Sequence, residues 1–187
     1  MAKIITVFGS ARQEKDSPEY MIAYNLGREL ASAGFILCNG GFGGMMEASA
    51  RGAKEAGGKT IGVSFDKNGR KPNQWIDEVV HIPQLIDRML KLVELGDAYV
   101  VLKGGTGTLL ELAAVWEYIN KGIMREKPIV FIGDFWQRVV TTLQEELLWE
   151  GIGDCTKIIH RVSSPRECAD FLQSAVNSER YIVNGKH

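Results

Sequence analysis

The chain has 187 residues, 45% of them hydrophobic, and a net charge of −1. That suits one domain with a sizeable core, and the near-neutral balance gives no electrostatic footprint for nucleic acid or an anionic membrane. Cys38, Cys155 and Cys168 are far apart and in no C-x-x-C pair, which argues against a disulfide framework or zinc site and for a reducing compartment.

Met1-Ala2-Lys3 leads straight into a strand-like run, with no signal-peptide pattern. No apolar stretch reaches the ~18 residues of a membrane span, so the sequence reads as soluble and cytoplasmic. Ile4 to Phe8 is a first buried strand, broken by Gly9-Ser10-Ala11-Arg12. Ser17-Pro18 is an N-cap followed by proline at the first helical position, and the helix continues from Tyr20 to Ala33. Phe35 to Asn39 reads as a strand, Gly40 to Gly44 as a turn, Met45 to Ala56 as a helix and Thr60 to Phe65 as a strand. Asp66 to Gln74 is a polar loop. Then come a strand at Val79 to Ile82, a helix at Gln84 to Leu95, a strand at Ala98 to Leu102 and a helix from Thr108. Pro128 to Ile132 is a strand, Phe135 to Trp149 a helix, Ile158 to Val162 a strand and Pro165 to Val176 a helix. Ser178 to His187 is a polar tail that reads as flexible. The alternation predicts one α/β domain: a Rossmann-like, doubly wound parallel sheet with helices on both faces.

Ligands in such a fold sit beyond the carboxyl ends of the strands. Three glycine-bearing turns fall there: Gly9-Ser10, Gly40 to Gly44, and Gly104 to Gly107. The last joins an apolar strand to a helix. Its free N–H groups and the positive end of the helix dipole make a cradle suited to phosphate. Thr108-Leu109-Leu110-Glu111 also fits a capping box, in which Glu111 would only close the helix start.

Several chemistries are disfavoured. Gly9-Ser10-Ala11-Arg12 lacks G-x-G-x-x-G spacing, and the second strand ends in Asn39-Gly40 rather than an acid, which disfavours hydride transfer. Gly58-Lys59-Thr60 leads from helix to strand, the reverse of a P-loop. His81, His160 and His187 are scattered, so no metal site is expected. There is no G-x-S-x-G elbow. Trp75, Trp116, Trp136 and Trp149 read as core or interface aromatics, and Met45 and Met46 as packing residues.

Gly104-Gly105-Thr106-Gly107-Thr108-Leu109-Leu110-Glu111 resembles the GGxGTxxE signature of the LOG-type proteins, the cytokinin-activating nucleoside-monophosphate phosphoribohydrolases. Arg88 falls at the position of that family's arginine, and Gly40 to Met46 is similar to its GGGxxGLMG turn. The chain departs from the family at Lys103 (usually proline), Met89 (usually lysine) and Glu47 (usually glycine). The resemblance implies hydrolysis of the N-glycosidic bond of AMP-like or cytokinin-type nucleotides to free base and ribose 5-phosphate. It makes Glu111 and Arg88 catalytic, and Ser10, Gly41, Gly43, Met45, Gly104, Gly105, Thr106, Gly107 and Thr108 contacts for substrate or phosphate. It implies no metal and no cofactor, and a homodimer to which Trp116 and Tyr118 could contribute. Lys103 would add a cation beside the phosphate turn. Outside the resemblance, Arg88 reads as a surface arginine or a partner of Asp87 or Glu94. The same superfamily holds nucleotide and molybdenum-cofactor carriers that bind without hydrolysing. A purely structural subunit is the third reading.

Overall fold

A computed structural model describes residues 2–65, 69, 71–149, 151 and 156–178. Cys155, His187, most of the loop after Phe65 and the tail beyond residue 178 lie outside the described residues. Strand and helix alternate as β1 (Ile4–Phe8), α1 (Pro18–Ser32), β2 (Ile36–Asn39), α2 (Met45–Glu55), β3 (Thr60–Ser64) and β4 (Glu78–His81). They continue as α3 (Leu85–Leu95), β5 (Ala98–Val101), α4 (Thr106–Asn120), β6 (Ile129–Ile132), α5 (Gln137–Trp149), β7 (Ile159–Val162) and α6 (Pro165–Ala175).

The strands form one sheet in the order β4-β3-β2-β1-β5-β6-β7, and every neighbouring pair is parallel. The apolar runs at its centre are continuous because both faces are covered. Ile5, Val7 and Val100 pack in one core with Leu26 and Leu30 of α1, Ala48 of α2 and Leu172 of α6. Phe8, Tyr99 and Val101, one residue out of phase, pack in the other with Leu92 of α3, Val115 of α4 and Val140 of α5. β4 departs from this pattern: as an edge strand it leaves Glu78, Val79 and His81 exposed.

Helices α1 and α2 touch backbone to backbone. A Cβ on Gly27 would lie 2.0 Å from Ser49 O, and one on Gly52 would lie 2.0 Å from Tyr24 O. Ser17 caps α1 as its sequence predicts, accepting from Tyr20 N at 3.2 Å.

Two local expectations are corrected. Helix α4 begins at Thr106 with Gly105 as its N-cap, so Glu111 sits in the second turn and closes no capping box. Trp116 is 3% exposed inside the second core, with Tyr118 packed against it, and is spent on packing within the chain. Trp149, in contrast, is 82% exposed.

Candidate functional site

The chain leaves β1 toward β2 on one side, and β5 continues toward β6 on the other, so the winding reverses between β1 and β5. A crevice opens at such a switch point because the two following loops diverge. Here it is a cavity of about 580 Å³ into which the turns after β1, β2 and β5 all reach. Ser10 ties them together. Its N–H donates to Lys103 O at 3.2 Å, and its carbonyl accepts from Met45 N at 2.9 Å.

The starts of α2 and α4, which follow two of these turns, differ. That of α2 is closed by the chain itself, because Met45 N is used by Ser10 and a Cβ on Gly44 would lie 2.5 Å from Ser10 O. That of α4 is open. It has no side-chain cap, and a Cβ on Gly105 or Gly107 would meet nothing within 4 Å. Free N–H groups at an uncapped helix start attract an anion.

Arg88 and Glu111 meet beside this opening. Arg88 Nη1 is 3.7 Å from Glu111 Oε1, and the two side chains are 8% and 15% exposed. The guanidinium is held from several directions. Nε donates to Val63 O at 2.8 Å, and Cζ stands 5.7 Å and 5.6 Å from the ring centres of Phe42 and Phe65. Gly40 admits it: a Cβ there would lie 1.7 Å from Arg88 Nη2. Arg88 therefore contacts neither Asp87 nor Glu94 as an ion partner; Glu94 pairs with Lys91.

Burial dominates the titration of the pair. It pushes the Glu111 carboxyl up to about 7, with the Arg88 charge pulling the other way. It also lowers Arg88, with Glu111 opposing. A single contact at 3.7 Å does not offset desolvation of either group. A buried carboxyl that titrates near neutrality can accept or release a proton at working pH.

The turn carrying Phe42 is stapled by two asparagines. Asn39 Oδ1 accepts from Gly41 N at 2.8 Å while its Nδ2 donates to Met46 O at 2.8 Å. From the other side Asn73 Nδ2 donates to Gly41 O at 3.1 Å and Phe42 O at 2.8 Å.

Of the residues singled out in the sequence, Ser10, Arg88, Gly105, Thr106, Gly107, Thr108 and Glu111 line the cavity. Gly41, Gly43, Met45 and Gly104 do not. Met45 is buried under Gly9, Gly41 packs on Gly62 and Pro72, and Gly104 lies against Thr108. Met46, one helical step on, faces the cavity instead. Lys103 does not line the cavity: its Nζ pairs with Glu19 at 2.9 Å and lies 5.7 Å from the Phe135 ring centre. Sequence reasoning did not select Arg12, Phe42, Phe65 and Leu85, which complete the wall. Only Arg12 carried a signal, as a cation in the turn after β1. Among the described residues no group of His, Cys, Asp or Glu could hold a metal ion, and no helix is long and apolar enough to cross a membrane.

Fold and site together define a parallel α/β protein with an open crevice at its switch point. The chain belongs to the SLOG cluster4 family, whose sequence model matches residues 2–160, and thereby to the LOG-type proteins. It is 30% identical over 136 residues to a cytokinin riboside 5′-monophosphate phosphoribohydrolase from Rhodococcoides fascians, covering 71% of this chain and 68% of the relative. It is 33% identical over 132 residues to an uncharacterized protein of Archaeoglobus fulgidus, covering 71% and 85%. Among solved structures it is similar to the molybdenum cofactor binding protein of Rippkaea orientalis. That match has a TM-score of 0.73 at 27% identity and covers 95% of this chain and 99% of the other.

Proposed function

We propose that this protein is a nucleoside 5′-monophosphate phosphoribohydrolase acting on AMP-like or cytokinin-type nucleotides. The observation that carries the reading is the buried Arg88–Glu111 pair beside the open start of α4, in one cavity. The phosphate would rest on the N–H groups of Gly105 to Thr108. Rupture of the C1′–N bond leaves positive charge on the ribose, as in glycoside hydrolysis. The Glu111 carboxylate would offset that charge and take a proton from the attacking water. The water oxygen then bonds C1′, the bond electrons stay on the base nitrogen, and a proton is returned there. Arg88, anchored through Nε to Val63 O beside Phe42 and Phe65, would contact the sugar or the departing base with its remaining Nη donors. The arrangement calls for no metal and no cofactor.

We place the protein in the cytoplasm, in keeping with the unpaired thiols of Cys38 and Cys168. We also propose a homodimer, buried through the exposed apolar residues Leu85 and Ile86 of α3 and Leu109 and Leu110 of α4. Gel filtration with light scattering checks this; a monomer at micromolar concentration rejects it.

The relationship to the Rippkaea orientalis protein supports a second reading, a carrier that holds a nucleotide or molybdenum cofactor without turnover. Incubation with AMP, with adenine followed by chromatography, separates the two. Release by the wild type and none by Glu111→Ala supports the hydrolase. Two inert proteins that AMP still stabilises against heat support the carrier.

A further inference from the structure

A phosphate on the N–H groups of α4 needs a cation as well, because half a helix-dipole charge does not balance a dianion. Two of the three cations nearby are occupied. Arg88 spends Nε on Val63 O and Nη1 on Glu111, between two phenyl rings. Lys103 is turned away to Glu19 and Phe135. The third, Arg12, lines the cavity with its side chain exposed, and no ion pair or ring contact involves it among the described residues. Its backbone is held at the rim: Arg12 N donates to Ser10 Oγ at 3.2 Å, and Ser10 is bonded in turn to Lys103 O and Met45 N. The loop after β1 thus carries one uncommitted guanidinium, its backbone held by Ser10, on the wall of the cavity that the uncapped start of α4 also lines.

We infer that Arg12 is the phosphate-reading residue of the site, closing a charge-assisted fork on the ligand's phosphate and so selecting phosphorylated ligands over the free nucleoside. This rests on the reading of the α4 start as a phosphate site. It puts Arg12, and not Lys103, in the place of the cation at that turn.

The test uses ribose 5-phosphate, AMP and adenosine, titrated by calorimetry and thermal shift into wild type, Arg12→Gln, Arg12→Lys and Lys103→Gln. Arg12→Gln is expected to bind ribose 5-phosphate and AMP about ten- to a hundredfold more weakly. It should respond to adenosine as the wild type does. Arg12→Lys should recover part of the loss, and Lys103→Gln should bind like the wild type. Undiminished binding of ribose 5-phosphate by Arg12→Gln overturns the inference, as does an equal loss for AMP and adenosine or a loss carried by Lys103→Gln. A wild type that binds no ribose 5-phosphate also overturns it, while adenine release from AMP decides the hydrolase reading separately.

Discussion

Arg88 Nη1 faces Glu111 Oε1 across 3.7 Å with both side chains largely buried, yet burial moves each toward its neutral form. A pair arranged for stability would be closer and doubly bonded, since partial compensation leaves the desolvation cost uncovered. The arrangement resembles a site in which stability is given up for reactivity.

The sign of the pH dependence follows from Glu111. Its carboxyl is raised from 4.5 to about 7 in the folded chain, so folding takes up a proton between those values. The stability this contributes is full below pH 4.5 and lost as pH rises through 7. The shift corresponds to on the order of 3 kcal/mol. Glu111→Gln is therefore expected to be more stable than the wild type at pH 8 by up to that amount, with the gain shrinking toward pH 5. Urea denaturation at both pH values checks this, and a Gln variant less stable at pH 8 rejects it.

In the proposed reaction the same ionisation sets the rate. Glu111 acts as a carboxylate in the proposed reaction, so adenine release from AMP should rise with pH and level off above about 7. A rate that instead falls across that range would make Glu111 a proton donor.

Arg88 is held by a backbone hydrogen bond and two nearby rings as well as by charge. Lysine at this position keeps the charge but loses the bond from Nε to Val63 O and places its ammonium differently against Phe42 and Phe65. Arg88→Lys is expected to lower kcat about a hundredfold or more, with a folded circular-dichroism spectrum. Turnover within threefold of the wild type would show that position-independent charge is enough.

Gly107 separates folding from binding. It lies in the first turn of α4, where a Cβ meets nothing. Gly107→Ala should stabilise the chain by about 0.5–1 kcal/mol through helix propensity while its methyl intrudes on the anion cradle and weakens AMP binding. A melting curve and an AMP titration on one variant test both halves.

Gly27 is the opposite case. A methyl there collides with Ser49 O, which is backbone and has nowhere to go. Gly27→Ala is expected to cost about 1–3 kcal/mol or more by forcing α1 off α2. An unchanged melting temperature would mean that the two helices slide apart freely.

Much of the fold could be read along the chain. Apolar runs such as Ile4 to Phe8 and caps such as Ser17-Pro18 are local signals, and they mark elements wherever the chain later places them. The limits show at β4, whose Val79 and Val80 read like a core strand and lie at the sheet edge, and at α4, where open backbone geometry at Gly105 moved the start two residues ahead of Thr108.

Sequence by itself determined the α/β alternation and the glycine turns at the strand ends, because turn chemistry and hydrophobic period act over a few neighbouring residues. Tertiary structure alone decided what faces the cavity. Val63, Arg88 and Glu111 are distant in the chain and meet only because the strand order sets β1 beside β5 and carries α3 and α4 to one face. It also decided that Met46 rather than Met45 lines the wall and that Lys103 turns to Glu19 and leaves Arg12 free. Those outcomes depend on helix phase and on competition among partners from separate elements, and no short stretch of residues encodes either.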